Sequence, residues 1–185
     1  MPVEFGATPW GRAWVRTVES TAASGPNPLL PRARSLARNH AATVTASTGL
    51  VTAVVAASGA EHAVRIELPG WSAETGAEAE RLIAGALAAH RGQATGDLPD
   101  SLEADLRAAG IAVAVPVDEQ VGTCGCRTRK RPCVHVLATL YALSMRVDER
   151  PALAVELRVD SAAVAPRPDP DWVPLHDLDA ASFYG

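Results

Sequence analysis

Between Thr43 and Leu68 β-branched residues alternate with alanine or polar ones, the period of two expected of strands in an antiparallel meander. Turns at Thr48-Gly49 and Ser58-Gly59 divide the stretch into strands over Thr43–Ser47, Leu50–Ala56 and Ala63–Leu68, and Pro69-Gly70 ends it. On either side the period lengthens to three and four. Trp10 and Trp14 lie one helical turn apart, Val15 and Val18 continue their face, and Thr8-Pro9 suits an N-cap and first helical position, so a short helix is predicted there. The stretch Arg32–Asn39 reads only as a basic lead-in to the strands. Ala79, Leu82, Ile83, Ala86, Leu87 and His90 predict a helix within 74–91, and a second runs from about Pro99 to Ala109 with Gly110 as its stop. Ile111, Val113 and Val115 then alternate as a further strand halted by Pro116. Val136, Leu137, Leu140 and Tyr141 begin another helix, whose first turn holds Cys133 and His135, and a last short helix starts near Pro151.

The fold class expected is α+β: an antiparallel sheet with packed helices. At 185 residues the chain suffices for one compact domain plus a module too small to fold alone. Its apolar residues are mostly Ala, Val and Leu, so the core should be built from small side chains. The net charge of −4 argues against coating nucleic acid through global electrostatics, and any anion site must be a local patch. From Asp148 onward eight acidic residues face three basic ones, and the proline-rich segment beyond Asp160 reads as an extended, acidic tail. The N-terminus has no basic region followed by an apolar run, and no apolar stretch approaches a membrane span, so a cytoplasmic protein without a membrane partner is expected.

All three cysteines fall within ten positions of "TCGCRTRKRPCVH". Cys124-Gly125-Cys126, six further residues and Cys133-Val134-His135 supply three thiolates and one imidazole, a donor set for a closed tetrahedral zinc site. Gly125 lets the chain turn so that both flanking sulfurs face one point. With four protein ligands no coordination position is left for substrate, so the zinc is expected to be structural. Reduced cytosolic thiols in this cluster favour metal over disulfides, and a C-x-C lacks the C-x-x-C geometry of a redox pair.

This cysteine pattern resembles the SWIM zinc finger, C-x-C followed by a variable spacer and C-x-H. "FGATPWGRAWVRTVE", "RARSLARN", "VTAVVAASGAEHAVRIEL" and "LPDSLEADLRAAGIAVAVP" are similar to segments of bacterial, especially actinobacterial, SWIM zinc finger proteins. The resemblance implies zinc ligands at Cys124, Cys126, Cys133 and His135. The chain is read as an α+β region at 1–120, the finger at 121–148, a short helix at 149–160 and the acidic, proline-rich tail at 161–185. Two features depart from the family: Leu36 stands where an aromatic is common, and the spacer "RTRKRP" is basic where it is usually acidic or neutral with a tryptophan.

That basic spacer points to function. Arg127, Arg129, Lys130 and Arg131 lie in a loop pinned at both ends by ligands, a fixed cationic knuckle suited to phosphate, which Arg32, Arg34 and Arg38 enlarge if the fold brings them near. The plainer alternative is a solvated charged loop. SWIM modules imply either DNA or protein partners, in bacteria alongside helicase-like ATPases, and the basic spacer places nucleic acid, DNA foremost, ahead as the expected ligand. A protein-binding adapter or accessory subunit of a larger assembly is the alternative. Trp172, Val173, Leu175, Leu178, Phe183 and Tyr184, set among Asp169, Asp171, Asp177 and Asp179, give the adapter its support. An enzyme is not expected: there is no phosphate-cradling glycine loop, nucleophile elbow or H-E-x-x-H. His40, His62, His90 and His176 are scattered, with Glu61-His62 placed in a turn. Trp10, Trp14 and Trp71 read as buried anchors rather than a base-stacking platform.

Overall fold

The computed structural model describes residues 5–20, 27–90 and 94–159. In chain order they form α1 (Pro9–Glu19), α2 (Leu30–Arg38), β1 (Ala42–Ser47), β2 (Leu50–Ala57), β3 (Ala60–Glu67), α3 (Ala73–Ala89), α4 (Asp100–Ala108), β4 (Val121–Cys124), α5 (Val134–Glu149) and α6 (Ala152–Glu156). The strands make one antiparallel sheet in the order β1-β2-β3-β4. The architecture is α+β, as the change of hydrophobic period predicts.

Register explains which face is covered. Val44, Ala53, Val64 and Cys124 lie side by side across the sheet, and Ala46, Val51, Ile66 and Gly122 form the next row. These small and β-branched residues make a shallow apolar surface, and α5 lies on it, packing against all four strands. A Cβ at Gly122 would stand 3.3 Å from Val136 Cγ1, so the glycine allows the helix to come close to β4. The far side of α5 is covered by α1 and α2. Every residue of α5 from His135 to Ser144 is therefore buried, as befits a helix enclosed on all sides. The fully buried Trp10 and Trp14 supply the bulk that an alanine-rich core lacks.

A carboxylate ties the segment that leads into α1 to the end of α5. Asp148, near the end of α5, accepts hydrogen bonds from the backbone N–H groups of Gly6 (2.9 Å), Ala7 (3.1 Å) and Thr8 (2.8 Å) and from the Thr8 hydroxyl (2.8 Å). Thr8 Oγ1 in turn accepts from the Gly11 N–H, capping α1 as predicted. The approach is so close that a Cβ at Gly11 would lie 2.2 Å from Asp148 Oδ1. Gly6 has φ +72°, and a Cβ there would meet the backbone of Arg12. A second link runs from α1 to α5 and α2: Tyr141 donates its hydroxyl to Glu19 (3.2 Å), which also pairs with Arg34. Arg34 lies over the Tyr141 ring, Phe5 packs on the same ring at 4.9 Å, and Arg38 covers Phe5. Burial leads the influences that push the Tyr141 phenol up to about 12.

Three expectations are corrected. The basic lead-in is a helix, α2, whose small residues Ala33 and Ala37 face the core. Ile111–Val115 is not a strand, although Ile111, Val113, Ala114 and Val115 are buried. Side chains serve this segment's carbonyls, Trp71 Nε1 donating to Ala112 O (3.0 Å) and Gln120 Nε2 to Val115 O (2.7 Å). Glu61 and His62 belong to β3 rather than to a turn. The acidic tail and His176 lie outside the described residues.

Asp148→Ala is expected to destabilise the protein by about 2–3 kcal/mol, because it leaves a cluster of N-terminal donors without their charged acceptor. Gly11→Ala should cost a similar amount by expelling the same carboxylate. Urea unfolding of both single variants and the double should show strong non-additivity, the second substitution adding little to the first.

Candidate metal centre

The four predicted ligands come together from three local structures. Cys124 is the last residue of β4, opposite Val64, and the Gly125 N–H continues the pairing by donating to Ala63 O at 3.1 Å. The chain bends there and presents Cys126 to the same side. Six residues later Cys133 is the N-cap of α5, with extended backbone (φ −80°, ψ 169°), and His135 sits in the first turn. Cys133 is fully buried and His135 nearly so, while Cys124 and Cys126 are half-buried.

One donor atom from each of the four lies within 4.8 Å of the others. His135 turns Nδ1 toward the sulfurs, 3.6 Å from Cys124 Sγ. Ordinary zinc bond lengths and tetrahedral angles give an N-to-S edge of about 3.5 Å, so the observed spacing suits a single zinc ion. The donor set, its mutual distances and its burial all fit a structural Cys3His zinc site, as expected. Such an ion closes the finger by joining the sheet edge to the start of the central helix, and its binding free energy then contributes to folding.

The thiols are not equivalent before metal binds. Burial is the main cause that pushes Cys124 up to about 12, with the thiols of Cys126 and Cys133 adding to it. Burial also acts on Cys126, but the Thr128 N–H together with Cys133 and Cys124 outweighs it and brings this thiol down to about 7. Burial first, then His62 and Arg32, hold His135 below the usual histidine range, which favours the neutral, ligating imidazole.

Two neighbours complete the site. His62, from β3, stacks on His135 with ring centroids 4.0 Å apart and planes 15° from parallel. Arg32, from α2, donates to Ser58 in the β2–β3 turn (2.9 Å) and is near enough to influence His135. Of the three arginines of α2, then, Arg32 lies toward the metal site while Arg34 and Arg38 are engaged with Glu19, Tyr141 and Phe5. Nothing in the sequence marked His62; its relevance appears only once β3 is in register with β4.

Arg127, Arg129, Lys130 and Arg131 are all exposed in the loop between the ligand pairs. Arg131 donates to Thr128 O at 2.8 Å, bracing the loop from within. Among the described residues, the ion pairs all lie elsewhere, and none engages these four cations. Trp10 and Trp14 are core anchors, as expected, and Trp71 is packed under Arg158. No helix among the described residues is long and apolar enough to cross a membrane.

Fold and site thus define a small α+β protein with a zinc site embedded at the junction of sheet and helix. The family model of the SWIM zinc finger matches residues 113–144, which include all four ligands, and the chain contains a SWIM zinc finger. The match does not extend to the segments before residue 113. No curated protein and no solved structure matches the chain.

Zinc loading through three thiolates should require the loss of every proton the three thiols carry, that of Cys124 throughout the range and that of Cys126 as well below about pH 7. Each proton released weakens binding about tenfold per pH unit as the pH falls. The apparent zinc affinity, followed by competition with a chromophoric chelator from about pH 8 to pH 6, should therefore drop at least tenfold per unit and more steeply in the lower half.

Proposed function

We propose that this is a non-catalytic zinc-binding protein that contacts nucleic acid, DNA foremost, through the basic loop of its SWIM finger. The observation that carries this is the loop itself. Arg127, Arg129, Lys130 and Arg131 are exposed, confined between two pairs of zinc ligands, and unpaired with any described carboxylate. Confinement keeps like charges together that would separate in a free tail. A concentrated cationic knuckle on a chain of net charge −4 binds phosphate locally rather than globally. Arg32 adds positive charge on the metal-site side of α2. Such contacts position a nucleic-acid backbone without reading its sequence. The zinc has the role of a clamp: its four protein ligands leave no place for a substrate, which is why the protein is proposed to be non-catalytic.

A second reading, a protein-binding adapter or accessory subunit of a larger assembly such as one containing a helicase-like ATPase, is favoured by the outer face of the sheet. Val54 and Val121 are 46% and 61% exposed there, beside a row of threonines.

Fluorescence anisotropy of labelled single- and double-stranded DNA with the zinc-loaded protein separates the two. The nucleic-acid reading expects affinity to fall steeply with salt, each phosphate contact contributing about 0.9 to the log–log slope on duplex. Replacing Arg127, Arg129, Lys130 and Arg131 together by alanine should reduce that slope by about 3.6 if each makes one contact, and leave zinc binding intact. No binding even at low salt, or an unchanged slope in the quadruple variant, would turn attention to protein partners.

A further inference from the structure

We infer that His62 is the positioning residue of the zinc site, holding the His135 ring so that Nδ1 faces the three sulfurs. The need for such a residue follows from the chemistry of the ligand. An imidazole that binds through Nδ1 must hold its ring at one angle about the Cβ–Cγ bond, since a rotation withdraws the nitrogen from the tetrahedron. Metal-bound histidines usually fix this angle with a hydrogen bond from the other ring nitrogen to a carboxylate or carbonyl. His135 makes no such bond within the described residues. Its only side-chain polar contact there is Nδ1 with Cys124 Sγ at 3.6 Å, and Thr139 engages its backbone carbonyl instead.

What His135 has in place of a hydrogen bond is a second ring on its face. The His62 ring lies parallel to within 15° at 4.0 Å, a stacking distance that leaves little room for the ligand to turn. His62 is itself placed by the sheet, opposite Val55 in the β2–β3 ladder. The following residues of the same strand also serve the site: Ala63 O receives the Gly125 N–H, and Val64 lies opposite Cys124. Three successive positions of β3 therefore set the imidazole, the turn glycine and the first thiolate. His62 acts through the face of its ring and not as a ligand, for it stands outside the four-residue cluster of donor atoms.

The test uses the full-length protein with His62→Ala and His62→Phe. Zinc affinity is measured by competition with a chromophoric chelator, and site geometry by the ligand-field spectrum of the cobalt-substituted protein. The wild-type measurement establishes the metal site independently, and far-UV circular dichroism of the zinc-saturated variants confirms that each retains the fold. His62→Ala is expected to weaken zinc binding by about tenfold and to shift and broaden the cobalt bands. His62→Phe, which keeps a flat ring without nitrogens, is expected to restore both toward wild type. Zinc affinity within about twofold of wild type and an unchanged cobalt spectrum in the alanine variant would overturn the inference. A phenylalanine variant as impaired as the alanine one would also overturn it, because a ring nitrogen rather than the ring face would then be what matters.

Discussion

The structure depends on bringing four donors to one point where the last strand of the sheet meets the first turn of its central helix. β4 is only four residues long, carries a glycine and exposes Val121, so it has little reason of its own to be a strand. It is held by pairing with β3 on one side and, through Cys124 and Cys126, by the metal that also fixes Cys133 and His135. The helix that begins at this point carries more buried residues than any other described element. The site and the core are therefore one construction: a clamp on the N-terminus of α5 is a clamp on everything packed around it.

The opposite end of α5 is secured by different chemistry. There Asp148 gathers the N–H groups leading into α1, and Gly11 is needed because any side chain would collide with that carboxylate. Phe5, Tyr141, Glu19, Arg34 and Arg38 form a polar and aromatic link over the adjoining surface of α5. A core of alanine and valine gains modestly from each contact, and fixed points at both ends of the central helix offset that weakness. The cost of this economy is that most arginines of the N-terminal part have structural duties, leaving the finger loop as the concentrated exposed cationic surface.

Much of this is written locally in the sequence. The alternation from Thr43 to Leu68, the glycine turns, the Thr8-Pro9 start and the Gly110 stop each act through nearest neighbours, and the strands and helices they imply are present. The four ligands were legible for the same reason, since thiolates and an imidazole at close spacing have few other uses. What was hidden depends on distant partners. The α2 helix buries only alanines, too small to give a clear period, and is held by Glu19 and Tyr141 from elsewhere in the chain. Ile111–Val115 alternates like a strand, yet its carbonyls are met by Trp71 and Gln120 side chains. Asp148 and Gly6 are separated by 142 positions, and His62 and His135 meet only because β3 lies beside β4.

The central claim is that a single zinc ion, bound by three sulfurs and one nitrogen, closes the junction of β4 and α5. X-ray absorption spectroscopy at the zinc edge on the purified full-length protein tests it most directly. The account predicts a first shell of three sulfur scatterers at about 2.3 Å and one nitrogen at about 2.0 Å, with outer-shell features of imidazole. A shell dominated by oxygen or nitrogen, or a protein that takes up no zinc while its cysteines are reduced, would contradict it.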